Sequence, residues 1–156
     1  MKLNLGCGND YRQGYVNIDI RPEVNPDMVL DLEQIPYPFD DESVEEILAF
    51  DIIEHFPFNK IRSIVNEWYR ILKKGGILKI RTPDFDQISY LFYKGEIPDW
   101  IMLSYYLYGA QDYEYNYHKA IFTKSQIKDF LESFGFRVVK LFNEYTNMYV
   151  EAVKEG

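Results

Sequence analysis

The chain has 156 residues, 47% of them hydrophobic, which is enough for one sizeable core but marginal for two, so a single domain over residues 1–156 is expected. Its 17 basic and 25 acidic residues give a formal net charge of −8 with no Lys/Arg cluster, a balance that repels phosphate backbones and argues against nucleic acid as a partner. One cysteine cannot make an internal disulfide, no apolar run approaches the ~18 residues of a membrane span, and residues 2–5 lack a basic-then-apolar leader, so a soluble cytoplasmic protein with no membrane partner is expected.

Met1 to Leu5 alternates and then meets Gly6-Cys7-Gly8, the punctuation of a short strand ending in a tight loop. Tyr15 to Ile20 and Met28 to Leu32 are two further runs rich in β-formers, each with an acid at or near its C-terminal end, Asp19 and Asp31. Gln34 to Ser43, with Pro36, Pro38 and Asp40-Asp41-Glu42, reads as a loop, and Val44 to Phe50 as a fourth strand. From Asn59 to Lys74 the apolar residues Ile61, Ile64, Val65, Trp68, Ile71 and Leu72 keep helical spacing. Asn59 is the expected N-cap, Lys73 and Lys74 suit the C-terminal dipole, and Gly75-Gly76 supplies the stop.

Ile77 to Thr82 predicts a fifth strand closed by Pro83. The aromatic-dense stretch Phe85 to Phe122 predicts two helices separated near Gly95 to Pro98. Thr123 or Ser125 caps another helix running to about Phe134 and stopped by Gly135, and strands at Phe136 to Phe142 and Thr146 to Val153 follow. Strands alternating with helices imply a largely parallel α/β sheet covered on both faces.

In an open α/β sheet, ligands bind beyond the carboxyl ends of the strands, where the strand order reverses. Gly6-Cys7-Gly8 leaves the first strand at such an end, and glycine there lets a ligand approach the main chain. Asp19 at the tip of the second strand can accept hydrogen bonds from both hydroxyls of a ribose. At Asp31-Leu32 the acid or the backbone can meet an adenine amino group while the leucine covers the ring. The three strand ends together suit a nucleoside. A dinucleotide fingerprint would need a third glycine where Tyr11 stands, and a phosphate-binding P-loop would need an absent Gly-Lys-Ser/Thr.

Lys2-Leu3-Asn4-Leu5-Gly6-Cys7-Gly8, Val16-Asn17-Ile18-Asp19, Ile52-Ile53-Glu54-His55-Phe56, the run Glu67 to Gly76 and Phe134-Gly135-Phe136 resemble, in order, the successive motifs of class I S-adenosylmethionine-dependent methyltransferases of the type 11 kind. The resemblance implies a doubly wound, mostly parallel, Rossmann-like seven-stranded sheet of order 3-2-1-4-5-7-6 with its last strand antiparallel, here with a shortened N-terminal region and a helical insert after strand five. It implies S-adenosylmethionine as cofactor. The methionine part would lie against Gly6, Cys7 and Gly8, the ribose on Asp19 beside Ile20, the adenine by Asp31 and Leu32, and the methyl-donor side along Phe50 and Asp51.

Only Asn9 to Gly14 separate the glycine loop from the second strand, whereas a parallel crossover normally takes about a dozen residues including its helix. The helix that usually follows the loop is therefore expected to be absent, and its dipole with it. Arg12 is the expected substitute partner for the cofactor's carboxylate. No helix is expected ahead of the first strand where the resemblance would put one, so one face of the site is expected to be open or closed by a second copy in a homo-oligomer.

Methyl transfer is an in-line displacement accelerated chiefly by positioning, and a base is optional. His118 and Asp51 are the candidate catalytic residues for a hydroxyl acceptor, with His55 and Asp84 carrying the same chemistry. Glu54 and His55 read more simply as fixing the loop behind the cofactor. Asp51, Glu54, His55 and His118 include metal-ligating types, but their spacing across the long segment defines no ligand set and no metal is expected. Ten aromatic residues between Tyr90 and Tyr117 exceed what one helix pair can bury with satisfied hydroxyls, so some should line a substrate lid or a subunit interface. Nothing beside Cys7 lowers its pKa, which argues for packing over nucleophilic chemistry. The function expected is methyl transfer to a small-molecule or glycan-like acceptor. A non-catalytic module that holds the cofactor or a partner protein is the second reading.

Overall fold

The computed structural model describes all 156 residues. The strands are β1 (Lys2–Leu5), β2 (Val16–Asp19), β3 (Met28–Val29), β4 (Val44–Phe50), β5 (Leu72–Pro83), β6 (Phe136–Glu144) and β7 (Asn147–Lys154). They form one sheet of order β3-β2-β1-β4-β5-β7-β6, parallel except for β7, which runs antiparallel to both neighbours. This is the expected class I methyltransferase order, and it places the ends of β1, β2 and β4 together at one edge.

The helices are α1 (Ile61–Ile71), α2 (Phe85–Tyr93), α3 (Trp100–Tyr108) and α4 (Lys124–Glu132). Alternation along the strands sends Ile47, Ala49, Leu78, Ile80, Met148 and Val150 into one core with Ile64, Val65 and Trp68 of α1 and Ile127 and Leu131 of α4. Helices α2 and α3 form a hairpin around a smaller cluster of Ile88, Leu91 and Ile97. No residue of α3 is buried, and Trp100 and Ile101 face solvent.

The opposite sheet face departs from the expectation of helices on both sides. The connections from β1 to β4 contain no α-helix, only a single 3-10 turn at Pro22–Val24. Between β4, β5, β7 and β6 that face carries a cross-strand charge ladder, with Lys79 3.3 Å from Glu46 and Lys140 3.3 Å from Glu151. Burial alone would raise the Glu46 carboxyl, but the Tyr15 hydroxyl and Lys79 hold it below its ordinary range. A polar ladder of this kind satisfies a face that an apolar pattern would have to cover.

Over β1 and β2 the short connection replaces a helix with side-chain hydrogen bonds. Asn4 Nδ2 donates to the Asp10 carbonyl at 2.7 Å and to Asn17 Oδ1 at 2.9 Å. Asn17 in turn accepts from the Arg12 amide at 2.8 Å and donates to the Arg12 and Tyr15 carbonyls and to Asp27. Both asparagines are buried, and the Asn4 amide nitrogen and both polar atoms of Asn17 are paired, as the low dielectric requires.

Two helix ends differ from the sequence reading. Lys60, not Asn59, precedes the first helical residue of α1, and it gives no side-chain cap. At the other end β5 begins directly at Leu72, so Lys73 to Gly76 belong to a strand that bulges between the Val44–Leu72 and Glu46–Ile77 pairs. A Cβ on Gly76 would meet the Lys73 carbonyl oxygen at 2.8 Å, which explains a glycine in the bulge. The free carbonyls at the helix end, Tyr69 and Leu72, are taken by buried Lys154 Nζ at 2.8 Å each, a cap that comes from the far end of the chain.

Candidate active site

Gly6 turns the chain out of β1 with φ +63°, and a Cβ there would lie 2.6 Å from Ile52 Cδ1. The residue has to be glycine on both counts. Asp19 lies beneath this loop, buried, with Oδ2 accepting from the Gly8 amide at 2.8 Å. Its Oδ1 accepts from the Arg21 amide at 2.9 Å and from Arg21 Nε at 3.2 Å. The guanidinium of Arg21 then lies over the Tyr113 ring, 4.8 Å from its centroid.

A cavity opens beyond these strand ends. Gly6, Asp19, Ile20, Asp31, Leu32 and Asp51 line it, together with Arg21, Ile52, His55, Tyr113 and Tyr115, which the sequence did not single out as cofactor contacts. β3 ends at Val29, so Asp31 and Leu32 reach the cavity from the following loop, where Asp31 Oδ1 accepts from the Glu33 amide at 2.9 Å.

Three expected contacts lie outside the wall. The Cys7 side chain is buried against the sheet, and burial, with the charge of Asp19, pushes its thiol up to about 11. The Gly8 amide is used on Asp19. Phe50 alternates onto the other sheet face, where its ring lies tilted against Tyr149 with centroids 6.1 Å apart and is approached by the guanidinium groups of Arg12 and Arg81. Arg12 is therefore committed to Phe50 and to Asp10, 2.8 Å away, and the cavity's cations are instead Arg21 and Lys119.

A second cavity adjoins the first and shares Asp51 and His55 with it. Its other polar groups include Glu54, Tyr105, Tyr106, Asn116, His118 and Thr146. Asp51 leaves β4 with φ +56°, an uncommon conformation for a non-glycine residue, and Arg81 Nε donates to its Oδ1 at 3.1 Å. His118 reaches the site because the chain after α3 folds back. The His118 amide donates to the Tyr108 carbonyl at 2.9 Å and the Lys119 amide to the Glu54 carbonyl at 2.7 Å. A Cβ on Gly109 would meet the Asn116 carbonyl at 2.6 Å, so this return needs glycine as well.

The His55 and His118 rings meet edge to face, 5.0 Å apart. Burial pushes His55 down to about 4 and lowers His118, so both imidazoles are neutral at pH 7. The 4.0 Å approach of His55 Nε2 to Glu54 is consequently not an ion pair. Burial also pushes Glu54 up to about 8. Asp84 lies in neither cavity: it is fully buried, caps α2 by accepting from the Asp86 amide and accepts from Asn143 Nδ2 at 2.7 Å.

Of the tyrosines, Tyr113 and Tyr115 border the first cavity, Tyr105 and Tyr106 the second, and Tyr93 is 93% exposed. No helix is long and apolar enough to cross a membrane.

The family model for the methyltransferase domain matches residues 3–80, the half of the chain that runs from β1 into β5 and includes the Asp19 and Asp51 strand ends. The chain belongs to this methyltransferase family. Among solved structures, an S-adenosylmethionine-dependent methyltransferase from Methanosarcina mazei superposes with a TM-score of 0.71 at 19% identity, covering 98% of this chain and 91% of that one. One from Archaeoglobus fulgidus gives 0.69 at 13% identity over 98% and 85%. The Burkholderia thailandensis 1,6-didemethyltoxoflavin-N1-methyltransferase, with bound 1,6-didemethyltoxoflavin and S-adenosylhomocysteine, gives 0.65 at 10% identity over 99% and 71%. At these identities the likeness is one of fold. No curated protein sequence matches the chain.

Proposed function

We propose that the first cavity binds S-adenosylmethionine and that the chain transfers its methyl group to an oxygen of a small-molecule or glycan-like acceptor held in the second. The observation that carries this reading is the wall the two cavities share, Asp51 and His55, across which a donor methyl and an acceptor can be held in line. Asp19 would bind the ribose, Asp31 and Leu32 the adenine, and Gly6 the methionine backbone. As the acceptor oxygen forms its bond to the methyl carbon, the sulfur–carbon bond breaks and S-adenosylhomocysteine leaves. The acceptor's proton passes to Asp51 or His118, both of which border the acceptor cavity.

Calorimetric titration of the folded chain with S-adenosylhomocysteine tests the first half, with one-to-one binding expected; no heat of binding would overturn it. Incubation with methyl-labelled cofactor and a small-molecule extract tests the second. Label retained only on the cofactor would favour the alternative, a non-catalytic module, which the missing helix dipole after Gly8 supports.

A further inference from the structure

Glu54, His55 and His118 each present a ligand atom, and these three atoms lie within 4.8 Å of one another at the wall of the second cavity. Two features prepare the set for a cation. His55 Nδ1 is 3.0 Å from the Tyr117 carbonyl, so it carries the proton and leaves the Nε2 lone pair facing Glu54. His118 Nδ1 is buried with no hydrogen-bond partner, a cost that a bound cation removes. Thr82 Oγ1 donates to Glu54 Oε2 at 2.9 Å and fixes the carboxyl from behind.

We propose that Glu54, His55 and His118 form a binding site for one divalent first-row transition-metal cation of the zinc type, with its open coordination positions facing the acceptor cavity of about 300 Å³. Two neutral imidazoles with one carboxylate are a borderline-soft donor set that suits zinc and its neighbours better than the oxygen-seeking magnesium or calcium. A hydroxyl or carbonyl oxygen of an acceptor is the ligand such an open site takes, and with the His118 lone pair engaged, Asp51 remains as the proton acceptor of the reaction proposed above.

The site does not depend on methyl transfer, so its test is metal binding. The folded chain, stripped with chelator, is titrated with zinc against a chromophoric competitor and with cobalt(II) followed by its visible absorption. One-to-one binding is expected, with a cobalt band typical of low coordination number. His118→Gln and His55→Gln should each weaken zinc by at least the ~10-fold that loss of even an outer partner costs, and Thr82→Val by about that amount. Circular dichroism identifies the variants that fold. Absence of saturable binding by the folded wild type overturns the proposal, as does binding that folded His118→Gln or Thr82→Val leaves unchanged.

Discussion

Asn4 Nδ2 donates to Asn17 Oδ1 at 2.9 Å between two strands of the sheet, and this buried pair holds down a connection too short for a helix. Asn17→Leu keeps the volume but leaves the Arg12 amide and one Asn4 donor without acceptors in a closed site. The expected loss is ~3 kcal/mol of unfolding free energy, measured by urea denaturation. A loss below ~1 kcal/mol would show that solvent, not Asn17, satisfies this loop.

Asp19 and Arg21 separate ligand binding from loop support. Asp19→Ala removes the carboxylate proposed for the ribose and also releases the Gly8 amide, so S-adenosylhomocysteine should bind at least ~10-fold more weakly, about 1.4 kcal/mol. Arg21→Met leaves the Gly8 bond and the Arg21 amide bond in place and removes only the Nε bond to Oδ1, for which a ribose hydroxyl would compete. Its effect should stay within ~3-fold, under 1 kcal/mol. If calorimetry finds Arg21→Met as damaging as Asp19→Ala, the cation and not the carboxylate holds the ligand.

How much of this was legible in the sequence follows from the range over which each signal acts. The strand order is implied by the family resemblance, and the motifs that carry the resemblance, at Gly6, Asp19 and Gly75-Gly76 among others, are readable in short windows. The absent crossover helix was readable too, because six residues between Gly8 and Tyr15 cannot form one and return. The bare sheet face was not anticipated, since its evidence is a pairing of Glu46 with Lys79 and of Lys140 with Glu151 across register that no window contains. The sequence points to a β5 that starts at Ile77, because Lys73 to Gly76 looks like a helix stop, whereas β5 starts at Leu72 and the true cap, Lys154, lies in the last strand. The resemblance carries Phe50 to the cofactor by position alone, whereas period-two alternation puts it on the face opposite Ile47 and Ala49. The meeting of His118 with Glu54 and His55 depends on a fold-back through Gly109 and the Lys119 amide, which spacing alone does not reveal.

Gly6→Ala adds a methyl that meets Ile52 Cδ1 at 2.6 Å and forces an alanine into φ +63°. The backbone term costs ~1 kcal/mol and the clash a further ~1–3 kcal/mol. Gly6→Ala with Ile52→Ala removes the clash and leaves the backbone term. The double variant should therefore lose less stability than the two single losses added together, by ~1 kcal/mol or more of favourable coupling. Additive losses in a double-mutant cycle would mean that the loop moves away from Ile52 at little cost.

Glu67 provides a pH-dependent anchor between α1 and the loop before β4. Its carboxyl accepts from Arg70 Nε at 2.9 Å, from Arg70 Nη2 at 2.6 Å and from the Tyr37 amide at 2.7 Å. Arg70 above all holds it below its ordinary value of 4.5, against the opposing pull of burial. Because the folded state binds this proton less readily than the unfolded state, the stabilisation is fully present above pH 4.5 and is lost as the pH falls through the depressed folded value. Glu45 and Glu46 are lowered too and titrate in the same acid range, so the wild type alone does not isolate Glu67. The difference between wild type and Glu67→Gln does. It should be ~1–2 kcal/mol in favour of the wild type at pH 7 and shrink steadily below pH 4.5, as followed by denaturation at a series of pH values. A difference that stays constant into acid would assign the anchor to the neutral hydrogen bond from Tyr37, not to the charge facing Arg70.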